Sequence, residues 1–358
     1  MKKYLYIDDE SINSIEPLIN GFNRSERILV KRMPLDKNEK IEDIYQKLRD
    51  LQYDGIIVDL MLNGSGPFRI ACNSNSIVQY VRDLAERNEH KFCPVVLCST
   101  DEQLQKQLHN GYTSGDLYDH HFSKDFSLNF DFEAKVLESL AEGYDKIIKE
   151  NDVNELLKRD ISHLDTRPFE PFIGGKIDVK QFADFILKDL FIYSGLLIPE
   201  EILCARLGIA KNGSYKEVLS LFASAKYIGV FKEVGDFYWS DIVCEIFYEQ
   251  FHVGLASLDT EEKIKLLQDY FKDFKLVEAS LVEHNNSKRF WTVCVKTHEC
   301  IDPMEGYRMK EKTILKPWQE PHFVSFNAIS SGELNETDII PIDAERYRRR
   351  VEYLQAKD

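Results

Sequence analysis

Tyr4-Leu5-Tyr6-Ile7-Asp8-Asp9-Glu10 is an apolar run that ends abruptly in three carboxylates. Such a run, rich in aromatic and β-branched residues and stopped by polar ones, reads as a strand. Taken alone, the acidic triplet is more often a turn that caps the next helix than a metal site. Three later apolar runs end in a similar way on a polar residue. They are Gly55-Ile56-Ile57-Val58-Asp59, Pro94-Val95-Val96-Leu97-Cys98-Ser99 and His121-Phe122-Ser123-Lys124. Strands are therefore expected at 2–7, 27–33, 55–58, 95–98 and 117–122. Between them, Ile12, Ile15, Leu18, Ile19 and Phe22 recur at helical spacing, with Ser11 placed as a cap. Ile41, Ile44, Tyr45, Leu48 and Leu51 mark a second helix, and others are expected at 77–86, 102–108 and 132–149. The stretch Asn63-Gly64-Ser65-Gly66-Pro67-Phe68, followed by Cys72-Asn73-Ser74-Asn75, reads as a loop longer than such units usually carry. Five strands alternating with five helices predict an α/β fold with a doubly wound, five-stranded parallel sheet. The carboxyl ends of its strands share one edge, where ligands bind. Asp8, Asp9, Asp59, Ser99 and Lys124 are expected to meet there.

That set has a chemistry. An aspartate can carry a phosphoryl group as a mixed anhydride. Attack of one anion on another is opposed by repulsion, which a divalent ion with hard oxygen ligands relieves. Asp59 is the expected acceptor, and Asp8, Asp9 and Asp59 are the expected ligands of a Mg2+ ion. Lys124 would pair with the phosphoryl oxygens, and the Ser99 hydroxyl would donate to another. Each residue singly has a bland reading as a turn or surface residue; the ordered set is what points to a site.

The same set resembles the receiver domain of bacterial response regulators. The resemblance is carried by Ile7-Asp8-Asp9-Glu10, Asp54-Gly55-Ile56-Ile57-Val58-Asp59, Pro94-Val95-Val96-Leu97-Cys98-Ser99 and Phe122-Ser123-Lys124, and covers residues 1–150. It implies a flavodoxin-like fold and transfer of a phosphoryl group to Asp59 from a partner histidine kinase, with magnesium. It also implies a switch in which Ser99 and an aromatic position, here His121, reorient. Asp125 stands where the family has proline, Thr100 where a small residue follows the hydroxyl, and the loop after Asp59 lacks the usual Pro-Gly pattern. These departures resemble a divergent receiver group found beside unusual ATPase-type kinases in bacterial operons, some linked to phage defence.

The remainder is less legible. At 358 residues, 43% of them hydrophobic, the chain is long enough for two or three domains with their own cores. No apolar run approaches the roughly 18 residues that span a bilayer, so no membrane partner is expected. Asp8 to Glu10 interrupt the first apolar run too early for a signal peptide. Seven cysteines without regular spacing suit a reducing cytoplasmic setting rather than a disulfide framework. A net charge of −15 disfavours nucleic acid as a partner.

The expected organisation is a receiver domain at 1–150, a linker at 151–176, a helical, winged-helix-like domain at 177–256 and an α+β region at 257–358. The linker reading rests on Arg167-Pro168, Glu170-Pro171 and Gly174-Gly175. The winged-helix reading rests on the stripe Val179, Phe182, Phe185, Ile186 and Leu190, helices at 199–207 and 215–225, and a hairpin of 227–230 with 237–239. Strands are expected at 276–282 and 290–295, irregular chain at 300–340, and a tail helix at 343–355 bearing Arg346, Arg348, Arg349 and Arg350. Cys294, His298, Cys300 and His322 are candidate zinc ligands, and Cys294 with His322 a candidate nucleophile pair.

The function expected is a phosphoacceptor signalling protein, with a protein-interaction output through an effector protein or homodimer, or a role as a phosphate sink. One alternative is a DNA-binding regulator, although the expected recognition helix offers only Lys216, flanked by Lys211, Asn212 and Lys226. The other is a degenerate receiver that acts only by docking.

Overall fold

The computed structural model describes residues 1–37, 39–62, 66–68, 70, 72–104, 117–125 and 128–356. They pack as two units, Met1–Lys188 with Ile228–Val234, and Asp189–Tyr227 with Gly235–Asp358.

In the first unit, β1 (Lys2–Ile7), β2 (Ile28–Arg32), β3 (Gly55–Asp59), β4 (Val95–Ser99) and β5 (His120–Ser123) form one sheet in the order β2-β1-β3-β4-β5. Every pairing is parallel. This is the flavodoxin-like, doubly wound order of receiver domains. β3 and β4 are buried along their whole length, which is why their sequences are unbroken apolar runs rather than alternating ones.

Helices α1 (Ile12–Asn23), α2 (Ile41–Asp50), α3 (Ser74–Glu86) and α4 (Phe130–Lys149) pack on the sheet. Alternate strand residues point to opposite faces. Leu5, Ile7, Ile56 and Val58 pack with Ile44 and Leu48 of α2 and with Ile77 and Val81 of α3. On the other face Phe22 meets Phe122 and Phe130 edge to face, with ring centroids 5.4 and 5.2 Å apart. There the Tyr4 phenol donates to the Leu137 carbonyl at 2.5 Å. Full burial of each such side chain is worth about 1.5–3 kcal/mol, so the two apolar layers hold the strand ends in fixed register.

The cap expected of Ser11 is not made: its hydroxyl meets Ser14 Oγ at 3.0 Å instead of a backbone amide. α3 and α4 are capped by Asn73 and Asn129, which accept the Ser76 and Phe132 amides at 2.9 and 3.1 Å. Residues 101–104 are helical. The rest of the helix expected at 102–108 lies outside the described residues, as do Asn63, Gly64 and Ser65 of the long loop.

The polar stretch 151–176 packs as part of the first unit. α5 (Val153–Leu157) buries Leu156 and Leu157. Phe169 and Phe172 are buried too, and the Phe172 ring lies 4.9 Å from that of Phe182 in α6 (Val179–Asp184). Apolar residues scattered among prolines and glycines give no periodicity, so this packing is invisible in the sequence. Residues 228–234 complete the unit. Phe231, at φ +64°, is buried over α4, and a Cβ on Gly143 would stand 2.3 Å from its ring. Glycine inside a helix costs about 1 kcal/mol relative to alanine; here it makes room for the phenyl.

In the second unit, β6 (Leu197–Pro199) pairs antiparallel with β7 (Phe237–Trp239). With them are α7 (Glu200–Leu207), α8 (Tyr215–Ser220), α9 (Ser240–Phe251) and α10 (Thr260–Tyr270). The expected hairpin of 227–230 with 237–239 is thus corrected. Lys226 bridges Tyr238, but residues 228–234 belong to the first unit, and β6 takes the place beside β7. The strand expected at 276–282 reduces to one bridge, Ile209 with Glu278. Thr292–Val293 pairs with Cys300–Ile301, and Tyr307–Arg308 with Phe323–Val324, both antiparallel. The tail is a helix, Pro341–Gln355, with Asp343 buried and paired to Arg308 at 2.9 Å. No described helix is long and apolar enough to cross a membrane.

Candidate functional site

The carboxyl ends of β1, β3, β4 and β5 converge. β1 delivers Asp8 and Asp9, β3 delivers Asp59, β4 delivers Ser99, and Lys124 follows β5. The three aspartates are 0, 3 and 6% exposed. One carboxylate oxygen from each lies within 4.8 Å of the others. Lys124 Nζ bridges Asp8 Oδ2 and Asp59 Oδ1, at 2.7 Å to each. Its backbone amide donates to the carbonyl of buried Ser99 at 2.8 Å, which ties the lysine to β4. The Glu10 amide donates to Asp8 Oδ1 and the Met61 amide to Asp59 Oδ2, each at 2.9 Å.

Three buried carboxylates around one ammonium leave the pocket under-compensated. Burial, then the charges of Asp8, Asp59 and Glu10, pushes the Asp9 pKa above its ordinary value. Burial also raises Asp59, with the Asp8 charge adding, in spite of Lys124. For Lys124 burial alone would lower the pKa, but Asp59 and Asp8 outweigh it and keep the ammonium charged.

Two observations bear on a metal. Among the described residues Asp9 Oδ2, which is buried, has no hydrogen-bond partner, a state that costs about 1–3 kcal/mol when left uncompensated. Gly66 packs against the same carboxylate, where a Cβ would stand 2.6 Å from Cγ and 2.7 Å from Oδ2. A bare oxygen in an all-carboxylate set fits a hard divalent ion such as Mg2+. Among the described residues this is the one cluster of three potential ligand side chains.

His121 lies exposed on β5 beside His120, whose ring is 2.9 Å from Glu133. Asp125, where the family has proline, accepts from the Asp101 amide at 3.1 Å and the Ser123 hydroxyl at 3.0 Å, joining the ends of β4 and β5. Thr100 is exposed. One participant was not anticipated. The Tyr6 phenol donates to Asp8 Oδ2 at 2.6 Å. Its signal was present in the sequence, since residues two apart on a strand share a face.

The candidates of the second unit do not converge. The Cys294 thiol accepts amides from Thr297 and Ser325, at 3.4 and 3.2 Å. His322 contacts Glu311 at 3.1 Å through Nδ1 and the Ile192 carbonyl at 3.1 Å through Nε2. Exposed His298 pairs with Glu201 at 3.0 Å. Among the described residues these zinc candidates form no cluster of three ligand atoms, and the Cys294 thiol and both His322 nitrogens have other partners. On α8, Lys216 is bound by Glu200 at 2.6 Å, Lys211 lies 3.4 Å from the same carboxylate, and Lys226 pairs with Asp236 at 2.6 Å.

No protein-family model matches the chain, and no curated protein matches it. Solved structures do. A two-component response regulator from Clostridium difficile is 17% identical over 40% of this chain and 97% of its own, with a TM-score of 0.26. The receiver domain of sensor histidine kinase PA1611 from Pseudomonas aeruginosa, with magnesium in its active-site cleft, is 13% identical over 39% and 98%, with a TM-score of 0.28. The chemotaxis protein CheY4 of Vibrio cholerae is 20% identical over 39% and 98%, with a TM-score of 0.24.

Proposed function

We propose that the chain is a response-regulator-type signalling protein that accepts a phosphoryl group on Asp59 from a partner histidine kinase. The observation that carries this reading is the Lys124 bridge between Asp8 and Asp59 beside the bare Asp9 Oδ2, all at the ligand-binding edge of a parallel sheet. Asp8, Asp9 and Asp59 would hold Mg2+, which supplies charge neutralisation when bound. The chain's own residues do the rest. A bond forms between an Asp59 carboxylate oxygen and phosphorus as the bond to the donor's imidazole nitrogen breaks, its electron pair staying with the donor. Lys124 is already within reach of Asp59 and charged, so it can pair with the phosphoryl oxygens without reorganisation. Ser99 stands at the neighbouring strand end to donate a hydrogen bond, and Ser99 with His121 forms the switch. The second unit is the output, through contacts with an effector protein or a second copy, or the protein is a phosphate sink. A phage-defence operon is the setting that goes with this reading. Sequence-specific DNA binding draws no support from α8, because Glu200 takes up its one basic residue, Lys216, and carboxylates also pair with the flanking Lys211 and Lys226.

Incubation with a small phosphodonor and Mg2+, followed by intact mass measurement, tests the proposal. A gain of one phosphoryl group is expected, abolished in Asp59→Ala and in the presence of a chelator. A folded wild-type protein that gains nothing leaves the docking-only receiver as the reading.

A further inference from the structure

We infer that Tyr6 is a positioning residue for the acidic site: its phenol fixes the Asp8 carboxylate for metal binding. The inference rests on the magnesium site proposed above. Tyr6 and Asp8 sit two residues apart, Tyr6 at the penultimate position of β1, and both are fully buried. The phenol donates to Asp8 Oδ2 at 2.6 Å, within the range of short, charge-assisted O–H···O⁻ bonds. Lys124 Nζ donates to the same oxygen at 2.7 Å and lies 6.0 Å from the Tyr6 ring centroid. The Glu10 amide holds Asp8 Oδ1 at 2.9 Å. The Cys98 thiol, 4.0 Å from the phenol oxygen, is the other polar neighbour of that hydroxyl.

Asp8 is therefore gripped by three donors, two of them on Oδ2. Oδ1 accepts one bond and keeps a lone pair for a ligand. Asp9 Oδ2 accepts none from the described residues. One oxygen of the carboxylate that Tyr6 orients lies within 4.8 Å of an Asp9 oxygen. A phenylalanine would fill the same space in β1, and a phenol hydroxyl placed in a buried strand needs a partner. Asp8, at 2.6 Å, is the short partner that accounts for the hydroxyl; the Cys98 thiol lies much farther off, at 4.0 Å. Removing the partner that orients a ligating carboxylate typically costs about 10–100-fold in metal affinity.

The test is calorimetric titration of the full-length protein with Mg2+, for wild type, Tyr6→Phe, Asp8→Asn and the double variant. Tyr6→Phe should weaken binding about tenfold, and raising Mg2+ should recover phosphoryl uptake. In the Asp8→Asn background, Tyr6→Phe should change affinity by less than about twofold, because the carboxylate it orients is gone. Wild-type affinity in Tyr6→Phe overturns the inference. So does a loss of equal size in the Asp8→Asn background, or uptake that added Mg2+ does not restore. Amide exchange of β1 in chelator separates fold from site: a Tyr6→Phe protein with lost protection there shows that the phenol serves the fold, and the positioning role falls. A wild-type protein that binds no Mg2+ removes the proposed function itself, whereas binding that Tyr6→Phe leaves unchanged removes only the role of Tyr6.

Discussion

A group of three aspartates lies at each edge of the parallel sheet, Asp54, Asp119 and Asp145 at one and Asp8, Asp9 and Asp59 at the other, and the two groups are compensated differently. At the amino-terminal edge, Asp119 is fully buried and accepts from Arg82 at 2.6 Å, the Val95 amide at 2.7 Å and the Tyr144 phenol at 2.8 Å. Asp54 and Asp145 share Lys91, at 2.7 and 2.8 Å, and Lys2 also pairs with Asp145. Burial alone would raise all three, but these donors hold each below its ordinary value. At the carboxyl edge, burial wins for Asp9 and Asp59, and both are raised. The difference lies in the number of donors per carboxylate. One edge is compensated by its donors; the other is left with more negative charge than its donors offset.

The largest effect that separates the edges is expected at Arg82. Arg82→Met leaves Asp119 buried without its main cation, and should cost the first unit about 3–5 kcal/mol. Amide exchange of β4 and β5 is the measurement, because Trp239, Trp291 and Trp318 all lie in the second unit and their fluorescence reports on that unit. A loss below about 1 kcal/mol would break the comparison, since the edge would then be compensated in geometry but not in energy.

Acid probes the same edge more gently. A carboxylate whose folded pKa is depressed contributes fully above its unfolded value, near 4, and loses that contribution as pH falls through the folded value. Asp119, Asp54 and Asp145 should therefore destabilise the first unit progressively below about pH 4, each by at most about 1.4 kcal/mol per pH unit. Asp119→Asn should flatten that slope. An unchanged slope would move the acid sensitivity to other groups.

How far each edge was readable from sequence follows from its physics. The acidic edge was legible because a buried parallel strand must be apolar throughout, so a polar residue at its end is conspicuous, as at Asp59 and Ser99. Strand-end chemistry then put Asp8, Asp9, Asp59, Ser99 and Lys124 together. The compensated edge was not legible: Asp119, Arg82 and Tyr144 come from three elements, and nothing in their local sequence announces a pair. Tyr6 was overlooked because a tyrosine inside an apolar run passes for core. The second unit was harder still. Its strands are two or three residues long, too short to show a period of two. The departure of residues 228–234 into the first unit is decided by where Phe231 fits over Gly143, which no local pattern encodes.

The smallest effect is the sharpest, because its sign reverses. Asp9 carries a buried oxygen that has no partner among the described residues, in the field of Asp8 and Asp59. Removing a charge from the compensated edge destabilises; removing this one should stabilise. Asp9→Asn keeps the shape, deletes one of three crowded charges, and should raise the stability of the metal-free first unit by about 1 kcal/mol. The same substitution should abolish the stabilisation that Mg2+ gives the wild type, since a ligand that binds only the folded state adds to its stability. Amide exchange with and without Mg2+ reads both effects in one experiment. A variant that is less stable without metal would show that Asp9 is held by contacts that offset its repulsion, and the acidic edge would then be as well compensated as the other. A variant that gains stability and still responds to Mg2+ would keep the contrast but place the ion on Asp8 and Asp59 alone.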